Sequence, residues 1–116
     1  MTGPNPKTRL QVWTRDEGRC VRCGRYVGVA YREASIHHRR PRGMGGTQRI
    51  DTNQPQNLIL LCGSGTTGCH AWVEQHRTKA TLYGFLVSQW HNPADRWVHT
   101  YQGWRQLTPD GKAVPP

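Results

Sequence analysis

Residues 58–70 read LILLCGSGTTGCH, and this stretch decides the fold. Its four leading residues, Leu58–Leu61, form a short, fully apolar run of the kind that makes a buried strand. The glycines that follow predict a turn, and a helix is expected from about Cys69 to His76. Cys62 and Cys69 are separated by six residues, and this glycine-rich insert can fold back to bring their sulfurs together.

A second pair of cysteines occurs earlier in the chain. Cys20 and Cys23 have the C-x2-C spacing that lets two thiolates reach one tetrahedral ion from a tight turn, which Gly24 helps to close. One ion bound by all four thiolates would join the two halves of the chain. Iron would also accept four thiolates, and isolated buried thiols are the other alternative, but two pairs on turns favour structural zinc.

The composition indicates one small domain that needs such a crosslink. The chain has 116 residues, of which 34% are hydrophobic, so its core is thin. We expect one domain over residues 7–108, with loose ends at residues 1–6 and 109–116. No apolar run is long enough for a signal peptide or a membrane span, so a cytoplasmic, reducing location without disulfides is expected.

The charge of the chain indicates a polyanionic partner. Sixteen Lys and Arg residues against seven Asp and Glu residues give a net charge of +9. Such a charge concentrates nucleic acid around a protein, and the basic residues gather in the stretch 32–42. A basic surface that merely keeps the protein soluble is the competing interpretation.

The other expected elements are short and include both helices and strands, so the chain is expected to belong to the α+β class. Glycines and a proline make a long loop of residues 41–56, and loops of this length in compact domains are usually functional. The remaining expectations are a helix over residues 7–18, strands over residues 26–30 and 34–39, and later strands over residues 84–88 and 97–104.

Several residues that could bind a metal or take part in catalysis lie in or next to these elements. His37 and His38 are adjacent at the end of an expected strand, and Asn57 immediately precedes the apolar run. His70 and Glu74 are four residues apart on the expected helix, so they share one face and can deliver two ligands to one ion. Each residue alone would be ordinary, but the ordered set indicates a functional site.

This ordered set resembles the HNH, or ββα-metal, endonuclease family, and in particular the small zinc-containing HNH proteins of bacterial viruses. The segments that carry the resemblance are CVRC, SIHHRRPRGMGG, QNLILLC and GCHAWVE, which follow one another between Cys20 and Glu74. The motif core spans residues 20–76, and the later ATLYGFLV also resembles the segment that follows the motif in such proteins.

The resemblance implies a small ββα-metal domain and assigns roles within it. His37 would be a metal ligand and His38 the general base, Asn57 would orient that base, and His70 would be the second ligand. Glu74 is expected as a third ligand, at a position where the family often has His or Asn. DNA hydrolysis would leave 5′-phosphate and 3′-hydroxyl ends.

The identity of the catalytic metal depends on His37. Many members of the family have Asp at this position, although the colicin-type nucleases have a His-His pair. A nitrogen ligand favours zinc, nickel or manganese relative to magnesium. The expected cofactors are therefore a structural Zn²⁺ and a catalytic Mg²⁺, Mn²⁺, Ni²⁺ or Zn²⁺.

Basic residues near the histidines are expected to contact the phosphates of double-stranded DNA. The candidates are Arg39, Arg40 and Arg42, and Arg77 and Lys79 could extend the same surface. His76, His91, His99 and the five tryptophans are expected to have ordinary core or surface roles. No segment looks like a helix that reads bases, so weak sequence preference is expected.

Two functions of different classes follow from the sequence. The main hypothesis is a DNA endonuclease that works outside membranes, and the resemblance extends it to cooperation with the subunits of a viral terminase. The alternative is a zinc-stabilised nucleic-acid-binding module without catalysis, which the cysteines and the charge alone would support. The oligomeric state is left open.

Overall fold

The computed structural model describes residues 3–27, 34–41 and 49–116, which build a small mixed α+β fold, as the sequence predicts. Short 3-10 helices lie at Pro55–Asn57 and Pro93–Asp95. The α-helices are α1 (Pro6–Arg15), α2 (Gly68–Gln75) and α3 (Arg77–Leu82), and the strands are β1 (Ala34–His38), β2 (Leu58–Cys62), β3 (Val98–Thr100), β4 (Gly103–Leu107) and β5 (Ala113–Val114).

Strand β2 lies at the centre of the fold. It pairs antiparallel with β1, in a register that places His38 opposite Leu58 and Ala34 opposite Cys62. All five residues of β2 are buried, as the uninterrupted apolar run predicts. Helices α1 and α2 both contact this strand, and α2 begins one residue before the expected start at Cys69.

The other edge of β2 is covered by the end of α1 and the first cysteine turn, and no third strand of the described ranges pairs with it. The backbone N–H of Val21 donates to the Leu60 carbonyl over 2.8 Å, and the N–H of Leu60 donates to Asp16 Oδ2 over 3.0 Å. Arg15 donates to the Leu58 carbonyl over 2.6 Å and pairs with Asp16. The end of α1 and the first cysteine turn therefore satisfy the polar groups of this edge.

Helix α1 lies close to its expected position. The side chain of Asn5 accepts from the N–H of Thr8, and Pro6 occupies the first turn, where its missing N–H costs no hydrogen bond. The expected strand over residues 26–30 is represented by one isolated bridge between Arg19 and Tyr26, and residues 28–30 lie outside the described ranges.

The C-terminal part differs more from the expectations. The stretch 97–104, expected as one strand, contains β3 and the start of β4, which form a hairpin. Residues 109–116, expected to be loose, include β5, which pairs with β4 and orders Ala113 and Val114. None of the helices in the described ranges is long and apolar enough to cross a membrane.

The expected strand over residues 84–88 is wrong. This segment is irregular, because its backbone groups bond to other elements instead of to a neighbouring strand. The N–H of Phe85 donates to the carbonyl of Ala80 in α3, and the N–H of Val87 donates to the carbonyl of Arg39 just beyond β1. The segment thereby connects α3 to the end of β1.

Candidate functional site

Two clusters of potential metal ligands each include residues of α2. The first contains the four cysteines, whose sulfur atoms all lie within 4.8 Å of one another. The sulfurs of Cys23 and Cys62 are 3.9 Å apart, close to the roughly 3.8 Å edge of a tetrahedron with Zn–S bonds of about 2.3 Å. This cluster is compatible with a zinc site, and none of the four cysteines forms a disulfide.

Glycines with positive φ shape both cysteine turns. Gly24 has a φ of +78° and donates its N–H to the carbonyl of Cys20. Gly63 has a φ of +83°, and a Cβ at this position would lie 2.2 Å from the carbonyl oxygen of Thr67. Only glycine fits there, so the insert between Cys62 and Cys69 can close as tightly as the sequence predicts.

The surroundings of the thiols suit a bound cation. Burial raises the pKa of Cys20 and Cys69, so both thiols stay protonated at neutral pH unless a cation stabilises the thiolates. Arg22 donates to the sulfur of Cys69 over 3.3 Å. A metal at this cluster would have four protein ligands and no open position, which is typical of a structural role.

The second cluster consists of His37, His70 and Glu74, whose potential ligand atoms also lie within 4.8 Å of one another. His37 lies on β1, and His70 and Glu74 lie one turn apart on α2, as the sequence predicts. The rings of His37 and His70 are 5.1 Å apart and inclined at 68°. Two imidazoles and a carboxylate form a donor set that suits a divalent transition metal.

The buried carbonyl of Phe85 fixes the tautomer of His37. The Nε2 of His37 lies 2.9 Å from this oxygen, and because a carbonyl can only accept, Nε2 carries the proton and Nδ1 keeps its lone pair. Burial lowers the pKa of His37 to about 3, with smaller contributions from His70, His38 and Arg39. His37 is therefore neutral at pH 7 and offers Nδ1 to a metal.

Ser35 forms a hydrogen bond with the ring of His70, as the Phe85 carbonyl does with His37. Ser35 and His37 are two residues apart on β1, so their side chains point to the same face, toward α2. The hydroxyl of Ser35 lies 2.6 Å from Nδ1 of His70, which leaves Nε2 of His70 for a metal. Burial lowers the pKa of His70, while Glu74 acts in the opposite direction.

Glu74 is the most exposed member of the cluster. One of its carboxylate oxygens accepts from Arg77 over 2.9 Å, which is an exposed ion pair between residues three positions apart. A carboxylate has two oxygens, so this ion pair leaves the other oxygen for a metal.

His38 forms a hydrogen bond with Asn53, and the expectation that Asn57 would orient His38 is corrected. Nε2 of His38 lies 2.7 Å from Oδ1 of Asn53. Asn57 is fully buried, its Oδ1 accepts from the backbone N–H of Arg40 over 2.7 Å, and its Nδ2 donates to the Thr52 carbonyl over 2.9 Å. Asn57 thus connects the two ends of the loop that carries Asn53.

Arg39 is also corrected, because it is completely buried and cannot reach a phosphate on the surface. Its guanidinium group donates to four backbone carbonyls over 2.8–3.0 Å, those of Gly84, Gln56, Pro93 and Arg96. Burial lowers the pKa of Arg39 to about 9, so the group remains charged at pH 7. Arg39 thereby connects three segments of the chain to the end of β1.

Arg40 has a comparable structural role, which corrects its assignment to DNA. It is 6% exposed, forms an ion pair with Asp51, and donates to the His91 carbonyl over 3.0 Å. Arg77 and Lys79 are exposed on α3, as a DNA contact requires. Arg42, the remaining candidate, lies outside the described residues.

Comparisons with protein-family models, curated proteins and solved structures found no match to this chain.

The residues that sequence reasoning missed are those that hold the histidines. Ser35 could have been found, because a polar residue two positions before His37 on a strand must face the same side. Asn53 lies within the loop, and no feature of the sequence marks it as a partner of His38. The Phe85 carbonyl belongs to the backbone, so no residue type marks it.

Proposed function

We propose that this chain is a metal-dependent DNA endonuclease of the HNH, or ββα-metal, type. The observation that carries the proposal is the convergence of His37, His70 and Glu74 within 4.8 Å, next to His38 at the end of β1. The order β1, β2, α2 supports a ββα-metal fold, because the antiparallel pair and the helix that follows it hold all three ligands.

The four-cysteine cluster holds a structural zinc in this proposal. It joins the first cysteine turn to the end of β2 and the start of α2, and it thereby fixes α2 against the strands. The catalytic ligands lie on this same helix. The zinc therefore serves the active site by positioning His70 and Glu74, and it takes no part in the chemistry.

His38 acts as the general base. With the proton on Nε2 accepted by Oδ1 of Asn53, the lone pair on Nδ1 can take a proton from the attacking water. Asn53 holds the ring in this tautomer and orientation while the water attacks phosphorus. The proton then rests on the imidazole of His38, and the bond from phosphorus to the 3′ oxygen breaks.

The residues of the second cluster fit a divalent cation. His37 offers Nδ1, His70 offers Nε2 and Glu74 offers a carboxylate oxygen, and burial keeps both imidazoles neutral. A cation held there would supply positive charge to the phosphorane and to the leaving 3′ oxygen. Mg²⁺, Mn²⁺, Ni²⁺ and Zn²⁺ are the candidates, and the two nitrogen donors favour the last three.

Double-stranded DNA is the proposed substrate. The net charge of +9 attracts a polyanion, and Arg77 and Lys79 lie exposed on α3, directly after the helix that carries His70. Phosphate contacts of this kind carry little sequence information, so cleavage with weak sequence preference follows. Cooperation with terminase subunits stays a prediction from the resemblance.

The test is the conversion of supercoiled plasmid in the presence of Mg²⁺, Mn²⁺, Ni²⁺ or Zn²⁺. We expect the wild-type protein to nick or linearise the plasmid, and His38→Ala to lower the rate by roughly 100-fold or more, because the general base is lost. His91→Ala is the matched control, since His91 is an exposed histidine outside both clusters, and this variant should cleave like the wild type.

The same assay separates the two functional classes. If the wild-type protein leaves the plasmid intact with all four metals, or if His38→Ala cleaves as fast as His91→Ala, the endonuclease proposal is wrong. Retarded migration of intact plasmid in a gel would then favour the non-catalytic nucleic-acid-binding module.

A further inference from the structure

A broad cleft of about 650 Å³ lies beside the cysteine cluster, between α2, α3 and the β3–β4 hairpin. Trp72 of α2 lines it and is two residues from His70, a separation that points the two side chains to nearly opposite sides of the helix. The cleft is therefore distinct from the cluster of His37, His70 and Glu74, and its volume is typical of ligand-binding sites.

Aromatic side chains form one wall of the cleft and continue onto the surface. The ring of Tyr83 lies 5.6 Å from that of His99, and the ring of His99 lies 4.9 Å from that of Trp104. These three rings, here called the aromatic platform, meet at 43° and 68°, so they do not stack on one another. Tyr83 is 42% exposed and Trp104 is 39% exposed, which leaves ring surface open to a partner.

Positive charge lies at the rim of the same cleft. Arg22 lies 3.7 Å from the ring centre of Trp72, and this contact, together with its bond to Cys69, fixes its guanidinium group in place. Lys79 is exposed, and no carboxylate of the described residues pairs with it. Within the described ranges no acidic residue lines the cleft, so the cleft is complementary to a polyanion.

We infer that this cleft binds single-stranded nucleic acid, with bases on the aromatic platform and phosphates at Arg22 and Lys79. Flat open rings next to cations are the combination that single strands require, because every base has a face that can stack. Duplex DNA hides these faces, and an acidic peptide would use the cations but not the rings. The cleft shares Lys79 with the proposed duplex contacts, but its lining includes none of His37, His38, His70 and Glu74, so binding there does not depend on cleavage.

The test is the binding of a fluorescent oligothymidylate of about fifteen nucleotides, measured by fluorescence anisotropy. All proteins carry His38→Ala, so the result does not depend on cleavage. We expect Tyr83→Ala to weaken binding roughly tenfold or more, and Tyr83→Phe to retain affinity, because stacking needs the ring and not the hydroxyl. Tyr26→Ala is the matched control, since Tyr26 is 59% exposed and does not line the cleft.

The contribution of charge is tested with Lys79→Ala, which alters an exposed side chain and should not affect folding. This variant should weaken binding and lower the salt dependence of log K by about 0.7, whereas Lys112→Ala on a different surface should not. Failure of the oligothymidylate to bind, equal affinities of Tyr83→Ala and Tyr26→Ala, or equally effective displacement by polyglutamate would overturn the inference.

Discussion

Asn53 and Asn57 lie four residues apart but have different environments. Asn53 is partly exposed and contacts the imidazole of His38, whereas Asn57 is buried and contacts only backbone groups. The position of Asn57 immediately before an apolar run agrees with its burial but does not define the direction of its amide. The hydrogen bond between His38 and Asn53 depends on the tertiary structure, which the sequence alone does not reveal.

Replacement of Asn53 should therefore affect mainly cleavage, and replacement of Asn57 should affect mainly stability. Asn53→Ala should lower plasmid cleavage roughly tenfold or more with little loss of stability, because His38 loses its orienting acceptor. Asn57→Ala should lower the free energy of unfolding by about 2–4 kcal/mol, because it leaves buried backbone groups without partners. Urea unfolding and cleavage rates measured on both variants check this, and a reversed pattern would assign the orienting role to Asn57.

Arg39 provides a second contrast at the scale of single residues. Arg39→Met should destabilise the fold by about 3–5 kcal/mol, since it removes the buried donor of four carbonyls. Arg77→Met, which removes an exposed ion pair, should cost less than about 1 kcal/mol. Equal stabilities in urea unfolding would contradict a structural role for Arg39.

At the scale of elements, the sequence predicts best where local patterns and tertiary packing agree. Strand β2 and helix α2 were predicted nearly to the residue, because an apolar run, a glycine-rich turn and a cysteine at each end of that turn mark their limits. The segment 84–88 has the apolar content of a strand, but its backbone groups form hydrogen bonds with Arg39 and with α3. A buried arginine next to two histidines looks like a surface residue in the sequence, so this arrangement could not be foreseen.

The turn between β2 and α2 allows a direct test. Gly63→Ala should weaken zinc retention and lower thermal stability, because the new Cβ would lie 2.2 Å from the carbonyl of Thr67 at a φ of +83°. Gly65→Ala in the same turn is the control, since a Cβ there meets nothing within 4 Å. Zinc content after dialysis and thermal unfolding measure both effects, and indistinguishable variants would show that the turn does not shape the cysteine cluster.

At the scale of the whole molecule, the two ligand clusters share helix α2 but differ in their surroundings. The thiols are supplied by two turns far apart in the sequence, and three of the four are buried. The histidine cluster includes an exposed carboxylate, so solvent reaches it. A metal at the first cluster should therefore exchange slowly and support the fold, whereas a metal at the second should exchange readily.

This difference makes stepwise chelation the most direct test of the proposed enzyme. Zinc content, circular dichroism and plasmid cleavage should be followed on the same sample as the EDTA concentration rises. We predict that cleavage stops while about one zinc ion per chain and the native spectrum remain, and that added Mn²⁺ restores cleavage. Cleavage that persists in EDTA, or that is lost only together with the zinc and the fold, would contradict a separate catalytic metal on His37, His70 and Glu74.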